Sequence, residues 1–128
     1  MKLNEYQDKA MLTCMDTCDN PTYRLLNLVG EVGEFASKVA KHVRKGEARI
    51  FRNHIIWVDN DNLTDEENEK QIVNHREALK AEAGDILWQL SGLCQVMGWS
   101  LEEVAQANLD KLASRQARGV INGEGDNR

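Results

Sequence analysis

PTYRLLNLVGEVGEFASKVAKHVR, residues 21–44, decides the fold. Pro21 suits the first position of a helix, where its missing N–H costs nothing, and Asn20 before it is a favourable cap. Leu25, Leu28, Val29, Val32, Phe35, Ala36, Val39 and Val43 then recur at helical spacing, so at 100° per residue they form one apolar stripe. Gly46 stops the pattern. Glu31, Glu34 and Lys38 flank the stripe on one side, and Leu26, Gly30, Gly33 and Ser37 form a small-residue flank on the other. A helical glycine costs roughly 1 kcal/mol relative to alanine. Two readings of that flank stand side by side: close approach of a helix or ligand, or a loosened helix.

Outward from this helix the chain stays helical, with one proline and little β-branched alternation. A first helix is expected from about Leu3 to Thr17, with Leu3, Tyr6, Ala10, Met11 and Cys14 on one side. Residues 46–64 break the pattern: Ile50, Phe51, Ile55, Ile56, Trp57 and Val58 are apolar without a stripe and lead into Asp59-Asn60-Asp61-Asn62. This reads as a hydrophobic insertion that caps the core, walls a base pocket through His54 and Trp57, or joins subunits. It is no EF-hand, because Thr64 stands where the loop needs glycine and Lys70 where it needs glutamate.

Thr64 and Glu67 have capping-box spacing, starting a polar helix that leads into the patterned stretch Arg76–Met97. There Leu79, Ala83, Ile86, Leu90, Leu93 and Met97 form the stripe, with Glu82, Asp85 and Gln89 beside it. Ser100 and Glu103 make a second capping box, and a fourth helix follows from Leu101 to about Gln116. The tail, residues 119–128, is glycine-rich. The expectation is a single all-α domain over residues 1–128, with a four-helix-bundle-type core and an insertion, residues 46–75, between the second and third helices.

The 128 residues suffice for one domain core without disulfides. With 16 basic against 21 acidic side chains and no like-charge run, binding to polymeric nucleic acid or an anionic membrane is not expected. No stretch of about 18 apolar residues suggests a spanning helix. Three cysteines, Cys14, Cys18 and Cys94, fit reduced thiols and a cytoplasmic protein without a structural zinc site.

Side chains three apart on a helix are neighbours, so Glu31 with Glu34, and Glu82 with Asp85, each make a pair of acidic prongs. Either pair alone is common on solvated helices. Both pairs, however, border the stripes through which the second and third helices pack. Antiparallel packing would gather four carboxylates, whose repulsion and lost hydration demand a cation. An all-oxygen site favours Mg2+, with Mn2+ as a substitute. A di-iron site would need Glu-x-x-His motifs, but Val39, Phe51 and Ile72 stand three before His42, His54 and His75. On the fourth helix Asn108, Lys111 and Arg115 share the face of Leu101, Val104 and Leu112. Polar groups there suggest a phosphate clamp, which Arg118 extends, in contrast to mere snorkelling.

These residues resemble the all-α MazG-like nucleoside triphosphate pyrophosphohydrolases, relatives of dimeric dUTPases and dCTP pyrophosphatases. The resemblance runs through Gly30-Glu31-Val32-Gly33-Glu34 with Lys38, Glu82-Ala83-Gly84-Asp85-Ile86-Leu87-Trp88, Ser100-Leu101-Glu102-Glu103-Val104, Asn108-Leu109-Asp110-Lys111-Leu112 with Arg115, and Gly123-Glu124-Gly125-Asp126-Asn127-Arg128. It implies that Glu31, Glu34, Glu82 and Asp85 hold magnesium, that Lys111 and Arg115 contact phosphate, and that a nucleoside triphosphate yields monophosphate and pyrophosphate. Glu31 or Glu34 would take the water's proton, with Lys111 and Lys38 stabilising phosphate charge. A homodimer or homotetramer is implied as well. The 47 residues from Phe35 to Ala81 between the acidic motifs exceed the family's usual separation, and they bear on substrate choice. The competing expectations are a non-catalytic helical partner-binding module and a nucleotide sensor.

Overall fold

The computed structural model describes residues 1–125. Asp126, Asn127 and Arg128, which close the tail motif, lie outside the described residues. Among the described residues the all-α expectation holds, with four α-helices and one small antiparallel hairpin. The chain divides into two compact units, Thr22–Leu90 and Met1–Pro21 with the chain from Ser91 onward.

In the second of these, α1 spans Leu3–Met11, followed by a short 3-10 turn at Asp16–Cys18. The first helix therefore ends six residues before the expected Thr17. Thr13 is the physical reason: its hydroxyl and its N–H both donate to Ala10 O, at 2.7 and 3.1 Å, turning the backbone away from the α ladder. Buried Gln7 on α1 organises the rest of this unit. Its amide donates to Ser91 O and Trp99 O, and its carbonyl accepts from Leu101 N at 2.9 Å. Leu101 opens α4, Leu101–Ala117, so Gln7 satisfies one of that helix's orphan donors. Ser100 Oγ accepts from Glu103 N at 3.1 Å, as the capping-box spacing predicted.

In the other unit, α2 spans Pro21–Arg44 and meets the expected bounds. It ends in a Schellman motif: Gly46, at φ +74°, donates to Val43 O, and Glu47 N donates to His42 O at 2.9 Å. The insertion then folds as a hairpin, β1 Ala48–Phe51 paired with β2 His54–Trp57. Its register sets Ala48 opposite Trp57 and Ile50 opposite Ile55. Arg52 takes the left-handed turn position at φ +53°, with its guanidinium over Phe51 at 5.4 Å. Val58 N donates to Glu47 O, so the hairpin closes where it opened.

α3 runs unbroken from Asp65 to Val96, joining the polar and patterned stretches. Its box is complete: Thr64 Oγ1 accepts from Glu67 N, and Glu67 Oε2 accepts from Thr64 N at 2.8 Å. Those bonds hold the Glu67 carboxyl below its usual range.

Pairs between α2 and α3 run in opposite directions along the two helices: Arg24 with Gln89, Lys38 with Glu82, His42 with His75. The helices are thus antiparallel, but the seam between them is not the predicted apolar one. The covered side of α2 carries Arg24, Leu28, Glu31, Phe35, Lys38 and His42, while Leu25, Val29 and Val32 are 54%, 66% and 50% exposed. On α3, Glu82 and Gln89 are buried and Ala83 is exposed. Each face has turned toward its polar flank. Among the described residues only Met11, Cys18, Ala48, Leu79, Cys94 and Leu101 are buried apolar side chains, leaving much of the predicted stripe open to water. A Cβ added at Gly30 or Gly33 would meet nothing within 4 Å, so none of the described residues makes the close approach that one reading of the small-residue flank required.

Candidate active site

Helical periodicity sets the site's geometry. Arg24, Glu31 and Lys38 recur every seven residues, two turns apart, and form a polar line down the covered side of α2. Opposite it, α3 presents Glu82, Asp85 and Gln89. Carboxylate oxygens of Glu31, Glu34 and Glu82 all lie within 4.8 Å of one another. Asp85 is exposed, and its charge acts on Glu31. Three of the four predicted carboxylates, Glu31, Glu34 and Glu82, thus come together, while Asp85 lies outside that 4.8 Å group.

Electrostatics at this cluster favour a cation. Burial pushes the Glu31 carboxyl above its usual range; the charges of Glu34, Asp85 and Glu82 push the same way, and a hydrogen bond from Gln89 opposes them. Glu82 is buried. Its Oε1 accepts from Lys38 Nζ at 2.5 Å, while its Oε2 is buried without a hydrogen-bond partner among the described residues. A buried carboxylate oxygen left unpaired is costly, and a hard cation at the neighbouring carboxylates would satisfy it. The donor set, all oxygen, fits a divalent ion of the magnesium class.

A line of support stands behind Glu31. Gln89 Oε1 accepts from Arg24 Nη1 at 3.4 Å, leaving the Gln89 amide to face Glu31. Arg24 is fully buried, with its guanidinium 4.3 Å from the Trp88 ring centroid. Sequence reasoning placed Gln89 beside the stripe but missed Arg24. The seven-residue spacing of Arg24, Glu31 and Lys38 was the available signal.

The fourth-helix residues lie in the other unit and do not behave alike. Asn108 and Lys111 are exposed and line an open cavity of about 590 Å3 with Trp99, Glu103, Val104 and Ala107. Arg115 is buried, and its Nη2 donates to Gly125 O at 3.3 Å in the folded-back tail. Arg118 is exposed, with Nε donating to Ser114 Oγ at 3.3 Å.

Of the two residues suggested for a base pocket, His54 is exposed on β2 and Trp57 is half-buried. Trp57 stacks on His75 at 5.5 Å and meets His42 edge-on at 5.1 Å, away from His54's side of the hairpin. This places Trp57 in a second cluster, made of His42, Glu47 and His75, that sequence reasoning did not find. Only the fold brings these three together.

Comparison with known proteins completes the picture. Residues 20–120 match the MazG nucleotide pyrophosphohydrolase domain. This chain belongs to the MazG family. A relative, the Gene 37 protein of Mycobacterium phage L5, is 38% identical over 113 residues, covering 88% of this chain and 81% of that protein. No solved structure gives a significant match. The MazG domain indicates nucleotide pyrophosphohydrolysis, a hydrolase activity generally dependent on a divalent metal. Among the described residues of this MazG chain, no helix is long and apolar enough to cross a membrane.

Proposed function

We propose that this MazG protein hydrolyses a ribo- or deoxyribonucleoside triphosphate to the monophosphate and pyrophosphate, with Mg2+ or, in its place, Mn2+ held by Glu31, Glu34, Glu82 and Asp85. The convergence of Glu31, Glu34 and Glu82 oxygens within 4.8 Å carries the proposal. A metal held by these carboxylates would supply charge neutralisation at phosphate and a lowered pKa for the attacking water. Glu31 or Glu34 accepts that water's proton. Gln89 fixes the rotamer of Glu31 from behind, and Arg24 fixes Gln89. Lys38 counters Glu82 and, with a metal at the carboxylates, would be available to phosphate.

Asn108 and Lys111 are the exposed members of the predicted clamp and our candidates for phosphate contacts; a well-placed cation of this kind contributes about 3 kcal/mol to the transition state. Arg118 extends the clamp, and Arg115, engaged with Gly125, supports it by holding the tail. The match over residues 20–120 spans parts of both units, supporting one catalytic domain. The exposed Leu25, Val29 and Val32 stripe supports self-association of two copies through α2, as a homodimer or a pair of dimers. The nucleotide, rather than polymeric nucleic acid, is the ligand, and the place of action is the cytoplasm.

The test is a panel of NTPs and dNTPs assayed for pyrophosphate release with and without Mg2+, with binding measured in parallel. Metal-dependent pyrophosphate release is expected for at least one nucleotide. Binding without cleavage would make the chain a sensor, and neither would make it a partner-binding module.

A further inference from the structure

A Schellman cap brings two side chains together by construction, those of the helix's third-from-last residue and the residue after the glycine. The pair is usually apolar. Here the cap at Gly46 puts an imidazole and a carboxylate in those places: His42 Nδ1 lies 2.6 Å from Glu47 Oε2. α3 adds His75, whose Nε2 is 3.8 Å from the same oxygen and is buried without a hydrogen-bond partner among the described residues. Glu47 is held at both backbone groups, its N–H on His42 O and its C=O on Val58 N. Trp57 packs on both rings.

We propose that His42, Glu47 and His75 form a second metal site, selective for a borderline transition ion of the zinc(II) class. Two imidazoles and one carboxylate are the donor set that such an ion takes while keeping a fourth position open, and a hard ion such as Mg2+ prefers all-oxygen sites. Tetrahedral ligands about 2.0–2.1 Å from zinc stand about 3.3 Å apart. The two separations from Glu47, 2.6 and 3.8 Å, bracket that value, and all three ligand atoms lie within 4.8 Å of one another.

The surroundings favour a cation. Glu47 and His75 line a cavity of about 390 Å3 whose wall also carries Asp59, Asp61 and Asn60, opposed by Lys45. The site is distinct from the acidic cluster. At 1.5 Å per residue, His42 is about 12 Å along α2 from Glu34, and His75 about 10 Å along α3 from Glu82. Its ligands come from α2, the hairpin's first hinge and α3. The ion therefore ties the insertion to the helix pair that carries the carboxylates.

The chain has three histidines, and His54, exposed on β2, is an internal control. Metal-stripped full-length protein is titrated with Zn2+ alone while the imidazole resonances are followed by NMR. His42 and His75 are expected to shift together and saturate at one equivalent, with His54 unmoved and Mg2+ at the same concentration without effect. In isothermal titration, His75→Gln is expected to weaken Zn2+ binding about 100-fold. The Glu31→Gln/Glu34→Gln double variant is expected to keep it within about threefold, with circular dichroism confirming folding of each. Saturation only at millimolar Zn2+, a parallel shift of His54, an equal response to Mg2+, or loss in the double variant with His75→Gln unaffected overturns the proposal. The wild-type NMR arm decides even if a variant fails to fold.

Discussion

Lys38 Nζ lies against Glu82 Oε1, and the two differ sharply in burial: the lysine side chain is 40% exposed, the glutamate 9%. The lysine thus serves as a counter-ion to a carboxylate largely withdrawn from water. Lys38→Met should strand that charge and destabilise the metal-free fold. Because solvent screens the lysine's side of the pair, the expected loss is about 1–2 kcal/mol, short of the 3–5 typical of a fully buried pair. Mg2+ should recover most of it. Thermal melts with and without Mg2+ check this, and an equal metal response in Lys38→Met and wild type would sink the idea.

Glu34→Gln and Asp85→Asn each remove a proposed metal oxygen from an exposed position without emptying core volume. Pyrophosphate release should fall at least about 100-fold in each, with helicity by circular dichroism unchanged. Turnover within a few-fold of wild type in either variant removes that residue from the metal set.

The raised Glu31 carboxyl gives a pH dependence whose sign is fixed. The unfolded chain loses this proton near 4.5, the native protein at higher pH. Stability from the protonated form is complete below 4.5 and is lost as pH rises through the native value. The metal needs the deprotonated form, so its stabilising effect should be smaller at pH 4 than at pH 7. At a Mg2+ concentration of about 100 times Kd it reaches about 2.7 kcal/mol. Gln89→Leu removes the hydrogen bond that opposes the shift, and the onset should move to higher pH. Melting temperatures at several pH values measure both; a metal-induced shift independent of pH contradicts the assignment of Glu31.

Val29 is 66% exposed on the open side of α2. If copies associate through this stripe, Val29→Glu should convert the wild-type oligomer to monomer in sedimentation velocity at micromolar concentration. A wild-type monomer, or an oligomer unmoved by the substitution, excludes this face.

Local signals were legible in the sequence because they depend on neighbours alone. Pro21 and Gly46 bounded α2, and Thr64 with Glu67 and Ser100 with Glu103 marked the starts of α3 and α4. The end of α1 was not legible, since Thr13 halts it through a hydroxyl contact that threonine makes only in some settings. The hairpin escaped because its strands are short and its turn uses Arg52 where glycine or asparagine would have announced it. The acidic pairs were legible from spacing. His42, Glu47 and His75 were not, because a helix cap and a long return path, rather than any repeat, bring them together. Stripe burial was overestimated because helical spacing marks an apolar face but not how far it turns toward the neighbouring helix, and the polar flank carrying Arg24, Glu31 and Lys38 is the covered one.

The hydrogen bond from Val58 N to Glu47 O makes the hairpin a detachable module. Its entrance and exit adjoin, so residues can be added or removed between them without altering the register of α2 against α3. The acidic pairs lie outside that loop, one before and one after it. Selection can therefore lengthen or shorten the insertion while the spacing of the two acidic pairs across α2 and α3 stays fixed.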